Sequence, residues 1–198
     1  GVTLIESMLH EAKKAGLKTI VRLTYPTPAY DYHTREETLR LLSRTKPDYV
    51  YVALPEVHAR SVWFAHADRF GYWLPAKFVS EPWVYSRTRF PLPVDRWRNP
   101  PYRVGALAAS QVVHEQENLI AAAHQLGINT QIDDIPVLLA HLSAEDPVAF
   151  ARRSTEVLFS GDKETVSSWV AQINGIVSVP AAAAEGFAER LRPAVGEP

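Results

Sequence analysis

The sequence predicts an α/β protein: a partial parallel (β/α) barrel unit followed by a mostly helical C-terminal domain. Three observations carry that expectation. The run 19–25 is rich in β-branched residues, and 49–54 is a short, nearly unbroken apolar stretch. A capped segment of helical periodicity separates the two runs, and helix, strand, helix, strand at this spacing is the pattern of parallel β-α-β layering. From residue 102 onward the periodicity is helical, punctuated by capping and turn signals.

The elements follow in order. Thr3 and Glu6 form a capping box, Leu4, Ile5, Met8, Leu9 and Ala12 fall at helical spacing, and Gly16 stops the helix. The strand at 19–25 ends at Pro26 and Pro28. A second capping box, 34–37, opens a helix carrying Leu39, Leu41 and Leu42, which Lys46-Pro47 closes. The strand at 48–54 lacks polar alternation, which fits a strand covered on both faces. These two strands should lie parallel and adjacent, joined by the helix near 35–45.

Parallel sheets place their working loops at the C-terminal ends of the strands, here 25–33 and 55–63. Tyr25, Thr27, Glu56 and His58 are therefore the candidates for cofactor or substrate contact. The plainer alternative is a solvated loop, or simple packing for Tyr25. Arg22, mid-strand in an apolar run, must reach a carboxylate or water, and a structural ion pair is favoured over a ligand contact.

Residues 1–64 form the barrel portion, and 65–101 read as an irregular connector. The connector holds Trp73, Trp83 and Trp97 and six prolines, with short strands expected at 78–80 and 83–85. Its tryptophans are expected to pack in a core rather than line a flat-ring pocket. Residues 102–175 form the helical domain, with helices at 104–126, from Asp133-Asp134 through Leu142, from Asp146-Pro147 through Phe159, and on to Asn174 with Gly175 as the stop. Residues 176–198 read as a flexible tail.

Composition excludes several functions. Of 198 residues 21 are basic and 22 acidic, for a net charge of −1, so no nucleic-acid-binding face is expected. There is no cysteine, which removes disulfides, thiolate zinc sites and all-cysteine clusters. His58 and His66, with Glu56 or Asp68, match no zinc spacing, and His114-Glu115 lacks the second histidine of a zinc helix. No apolar run reaches the ~20 residues of a membrane span, and the first residues carry no secretory signal, so the expected compartment is the cytoplasm.

Taken together, Glu36-Glu37-Thr38-Leu39, Lys46-Pro47-Asp48-Tyr49-Val50, the 55–64 segment ending in Trp63-Phe64, Gln131-Ile132-Asp133-Asp134 and Phe159-Ser160-Gly161-Asp162 resemble the radical SAM superfamily. The likeness is to members with an upstream cobalamin-binding domain, among them the anaerobic magnesium-protoporphyrin monomethyl ester cyclase-like proteins. Pro55-Glu56 stands where that family usually has proline-glycine, which adds Pro55 to the candidate contacts. The resemblance implies the C-terminal portion of an enzyme that uses SAM, a [4Fe–4S] cluster and cobalamin for methyl transfer or oxidative cyclisation. Its partners would be the upstream barrel and cobalamin-binding domains of the parent protein. This chain alone, without the C-x-x-x-C-x-x-C cluster motif, would not be catalytic. An uncovered strand edge at 19–25 would favour a homodimer or a covering helix. The alternatives are a non-catalytic binding module and an unrelated stand-alone α/β protein.

Overall fold

A computed structural model describes residues 2–27, 32–76, 78 and 99–178. The expected strands at 79–80 and 83–85, and Trp83 and Trp97, lie outside these residues, as does all of the expected tail from 179 onward. The chain is mixed α/β and divides into two compact units, Gly1–Asp133 and Asp134–Pro198.

In the first unit the helix α1 (Val2–Lys14) leads into β1 (Ile20–Thr24), then α2 (Tyr32–Thr45) and β2 (Tyr49–Ala53). A short helix α3 (Val62–Ala65), the paired strands β3 (Tyr72–Trp73) and β4 (Arg103–Val104), the helix α4 (Ala109–Gln125) and β5 (Asn129–Thr130) complete it. β1, β2 and β5 form a parallel sheet in that order, while β3 and β4 pair antiparallel. The two expected strands are thus parallel neighbours with α2 between them. Their register sets Val21 beside Val50 and Leu23 beside Val52.

Side-chain alternation separates two faces of the sheet. Val21, Leu23, Val50 and Val52 share one face and pack with Leu39 and Leu42 of α2 and Leu119, Ile120 and Ala123 of α4. α1 lies beside α2, joined by hydrogen bonds from Arg44 to Glu6. On the other face Tyr49 is buried, Ile20, Tyr51 and Ala53 are half-buried, and Arg22 and Thr24 are exposed. The expectation of two covered faces, made for the strand at 48–54, fits β2, where Tyr49, Val50 and Val52 are buried and Tyr51 and Ala53 half-buried; β1 differs, carrying Arg22 and Thr24 toward water.

The register is pinned at the start of both strands. Asp48 accepts hydrogen bonds from the Thr19 backbone N–H at 2.9 Å and its hydroxyl at 2.8 Å, and from Lys18 Nζ at 3.1 Å. The Asp48 N–H in turn donates to the Thr19 hydroxyl at 3.1 Å. Burial alone would raise the Asp48 carboxyl; the bonds from Thr19 and Lys18 outweigh it, and the net shift is downward.

A second apolar cluster follows β2. Leu54 and Val57 pack there with Tyr72, Phe78, Tyr102, Val104 and Val112, so α4 serves both cores, through Val112 in one and Leu119 and Ala123 in the other. Trp63 joins the second cluster beside Tyr72 at 5.6 Å, whereas Trp73 is 54% exposed with the Arg103 guanidinium 4.5 Å from its ring centre. Phe78 closes a turn onto the Pro75 carbonyl rather than opening a strand.

The second unit packs α5 (Asp134–Leu142), α6 (Pro147–Leu158) and α7 (Lys163–Val177) around Ala140, Phe150 and Trp169. Asp146 and Asp162 cap α6 and α7, each accepting from two backbone N–H groups; the cap at Asp146 is as its place before Pro147 predicts.

Several boundaries differ from expectation for identifiable reasons. α1 starts before Thr3, and Glu6 is engaged by Arg44 rather than in a capping box. α2 starts at Tyr32, ahead of the expected box at Thr34. Residues 103–107 form a strand and turn, with Gly105 at φ +55°, so α4 begins only at Ala109. α7 runs through Gly175, which stays right-handed. α4 packs on the sheet instead of grouping with the later helices, and the compact units divide after Asp133.

Asp48→Asn keeps the size of the side chain and removes the charge that Lys18 and Thr19 meet. The expected loss is about 1 kcal/mol, since the site is partly exposed. Because the folded value lies below the unfolded one, this contribution is present above the ordinary aspartate range near ~4 and is lost as pH falls through the lowered value. Urea denaturation of both proteins across that range checks it, with the difference between them shrinking in acid.

Candidate functional site

Parallel pairing brings the C-terminal ends of β1, β2 and β5 together, and the five candidate residues sit in the loops that follow the first two. Tyr25 is only 2% exposed: its N–H donates to the Ala53 carbonyl at 2.8 Å and its ring packs with Leu42 and Val50. The following Tyr25–Pro26 peptide is cis, and Thr27 beyond it is half-buried. Pro55 is buried, and its carbonyl accepts the Tyr102 hydroxyl at 2.5 Å. Glu56 and His58 are both exposed and face each other at 3.4 Å. Tyr25 and Pro55 are thus fixed in packed surroundings, and Glu56 with His58 forms a separate polar pair on the surface.

The face of the sheet that carries Arg22 gathers a different set. Arg22 reaches Asp133, just after β5, at 3.1 Å, and its guanidinium lies 5.6 Å from the Tyr51 ring centre on the neighbouring strand. The carboxylate that Arg22 was expected to find is therefore Asp133. The Arg22 side chain keeps 60% exposure, and that of Asp133 27%. Thr24 lies two residues on along the same face.

Two glutamines finish the β2 ladder where β5 is too short to do so. Gln131 donates its backbone N–H to Val50, then turns at φ +59° and lays its carboxamide against Val52, accepting from the N–H at 2.9 Å and donating to the carbonyl at 3.3 Å. Gln116, buried on α4, donates to the same carbonyl at 2.7 Å. Sequence reasoning missed both. The available signal was Gln116 itself, a polar residue in the helical series Val112, Leu119, Ala123 that otherwise faces the core.

An open depression of about 440 Å³ lies beside the second apolar cluster, lined by Phe64, Asp68, Tyr72, Trp73 and Phe78 among others. The Tyr72 hydroxyl is buried with no hydrogen-bond partner among the described residues, and burial pushes its pKa well up. None of the five candidate residues lines this depression. Elsewhere, Glu115 is half-buried and meets Arg35 of α2 at 3.6 Å. Among the described residues no group of three or more histidine, aspartate or glutamate side chains could hold a metal ion, and no helix is long and apolar enough to cross a membrane.

No protein-family model, curated protein or solved structure matches the chain.

Gln131→Ala leaves the Val52 N–H without its acceptor in the central strand. A loss of about 1–3 kcal/mol is expected in urea denaturation. Arg22→Met should change stability by less than about 1 kcal/mol, because its ion pair is largely exposed. If Arg22→Met proved the more damaging of the two, the division of this region into ladder and open face would be wrong.

Proposed function

We propose that the first unit is the late wall of a radical SAM (β/α) barrel in a cytoplasmic enzyme, with the face of β1 and β2 that carries Arg22 and Tyr51 turned to the lumen. The second unit, with its three helices, belongs to the substrate side of the same enzyme. The observation that carries this reading is the parallel sheet with its strands in chain order, α2 and α4 packed on its valine–leucine face, and Arg22, Asp133 and Tyr51 gathered on the other. A doubly wound sheet would cover both faces with helices. A barrel wall has helices on its outer face, and its reactive groups sit at the C-terminal ends of the strands.

The residues of this chain do not fit an iron–sulfur cluster, because such clusters are held by cysteine thiolates and the chain has none. Cluster and cobalamin would be bound by the upstream parts of the parent protein. What this chain would supply is orientation: Arg22, Asp133 and Tyr51 can hold the polar end of a molecule in the lumen by charge, hydrogen bonding and ring contact. Whether the parent reaction is a methyl transfer or an oxidative cyclisation depends on groups outside the chain.

The test is activity of the polypeptide encoded by the complete reading frame. After anaerobic reconstitution it should hold a [4Fe–4S] cluster and cleave SAM, while this 198-residue chain alone should bind no stoichiometric iron and sulfide. A reading frame without three closely spaced upstream cysteines, or a reconstituted protein inert toward SAM, would refute the proposal.

A further inference from the structure

The open depression beside the second apolar cluster takes no part in the barrel reading, yet its walls are fixed by the chain's own bonds. Ser61 caps α3, its hydroxyl accepting from the Phe64 N–H at 3.1 Å. The chain turns at Gly71, whose carbonyl accepts the Gly105 N–H at 2.6 Å, and β3 then pairs with β4. Strand alternation sends Tyr72 into the core and Trp73 out of it, so that they are 4% and 54% exposed. Phe64 stacks on Phe78 with 6.1 Å between ring centres, and the Phe78 N–H donates to the Pro75 carbonyl at 2.9 Å.

Of the described residues that line the depression, Asp68 alone carries a charge. Its carboxylate is exposed and meets no ion-pair or hydrogen-bond partner among the described residues. An uncharged apolar molecule placed there would cover an unpaired carboxylate, which is unfavourable, and an anion would be repelled. A cation gains from two directions, from Asp68 and from the negative face of an indole ring. Trp73 shows the second attraction within the chain: the Arg103 guanidinium lies 4.5 Å from its ring centre, and Arg103 is not one of the lining residues. A bare inorganic cation would leave the aromatic walls wet, so the apolar lining asks for an apolar body on the same molecule. The volume of about 440 Å³ suits one small organic molecule.

We infer that this depression binds a small organic ammonium ion, with the cationic nitrogen held at Asp68 and Trp73 and the apolar body laid against Phe64. The plainer reading is a solvated carboxylate beside half-exposed rings. That reading predicts no preference between a charged and a neutral molecule of the same shape. The inference does not depend on the barrel reading, and neither falls with the other.

Amide NMR of the 198-residue chain tests it with phenethylammonium, phenethyl alcohol and phenylacetate, which share a shape and differ in charge. The ammonium ion should shift the amides of Asp68, Trp73 and Leu74 along a saturating curve. Its affinity should exceed that of the alcohol by about tenfold, and phenylacetate should shift none of these amides. Asp68→Asn changes an exposed side chain and should bring the ammonium ion down to the affinity of the alcohol. The amides of Tyr72 and Val104 should keep their positions in that variant, showing that the β3–β4 pairing is intact. The inference would be overturned by the absence of a saturating shift with the ammonium ion, or by equal affinity for ammonium ion and alcohol. An Asp68→Asn variant that still prefers the ammonium ion would overturn it as well.

Discussion

The parallel pairing of β1 with β2 is the constraint on which the rest of the first unit depends, and polar groups hold it at both ends. At the start, Asp48 binds the Thr19 backbone and hydroxyl, so the two strands cannot slide past one another without losing several hydrogen bonds. At the far end, Gln131 and Gln116 satisfy Val52 where no further strand residue is available. A slip of one residue would exchange the faces, turning Val50 and Val52 to solvent and Arg22 and Tyr51 into the core. Register therefore decides which side chains are available for chemistry.

The consequences of that register run outward. Val50 and Val52 recruit α2 and α4 to one face, and α4 continues into the second cluster that follows the C-terminal end of β2. Tyr102, bonded to the Pro55 carbonyl, ties the segment after β2 to that cluster. The other face keeps Arg22, Tyr51 and Asp133 within reach of one another. That face is exposed at Arg22 and Thr24 on β1, half-buried at Tyr51 and Ala53 and buried at Tyr49 on β2.

Much of this was legible in the sequence because it depends on local pattern. The β-branched run, the apolar run and the leucines between them gave two parallel strands and a helix, and Asp146-Pro147 gave a cap that the structure reproduces. The face that carries Arg22 was harder to read. Arg22 was recognised as needing a carboxylate, but Asp133 lies 111 residues away in sequence, and only pairing through β5 brings it near. β5 itself has two residues, too few for a periodic signal. The candidate loop residues were chosen by position after each strand. Position alone cannot distinguish Tyr25, drawn inward by Leu42 and Val50, from Glu56 and His58, left at the surface.

The contrast between the exposed Thr24 side of β1 and the packed valine face of β2 can be measured directly, because the chain has no native cysteine to confuse a labelling experiment. Single variants Thr24→Cys, on the exposed side, and Val52→Cys, on the packed face, would be reacted with a thiol reagent under native conditions. The account predicts that Thr24→Cys reacts at close to the rate of an unfolded thiol and that Val52→Cys is slower by orders of magnitude, reacting only through opening of the core. Equal rates at the two positions, or a protected Thr24→Cys, would contradict it.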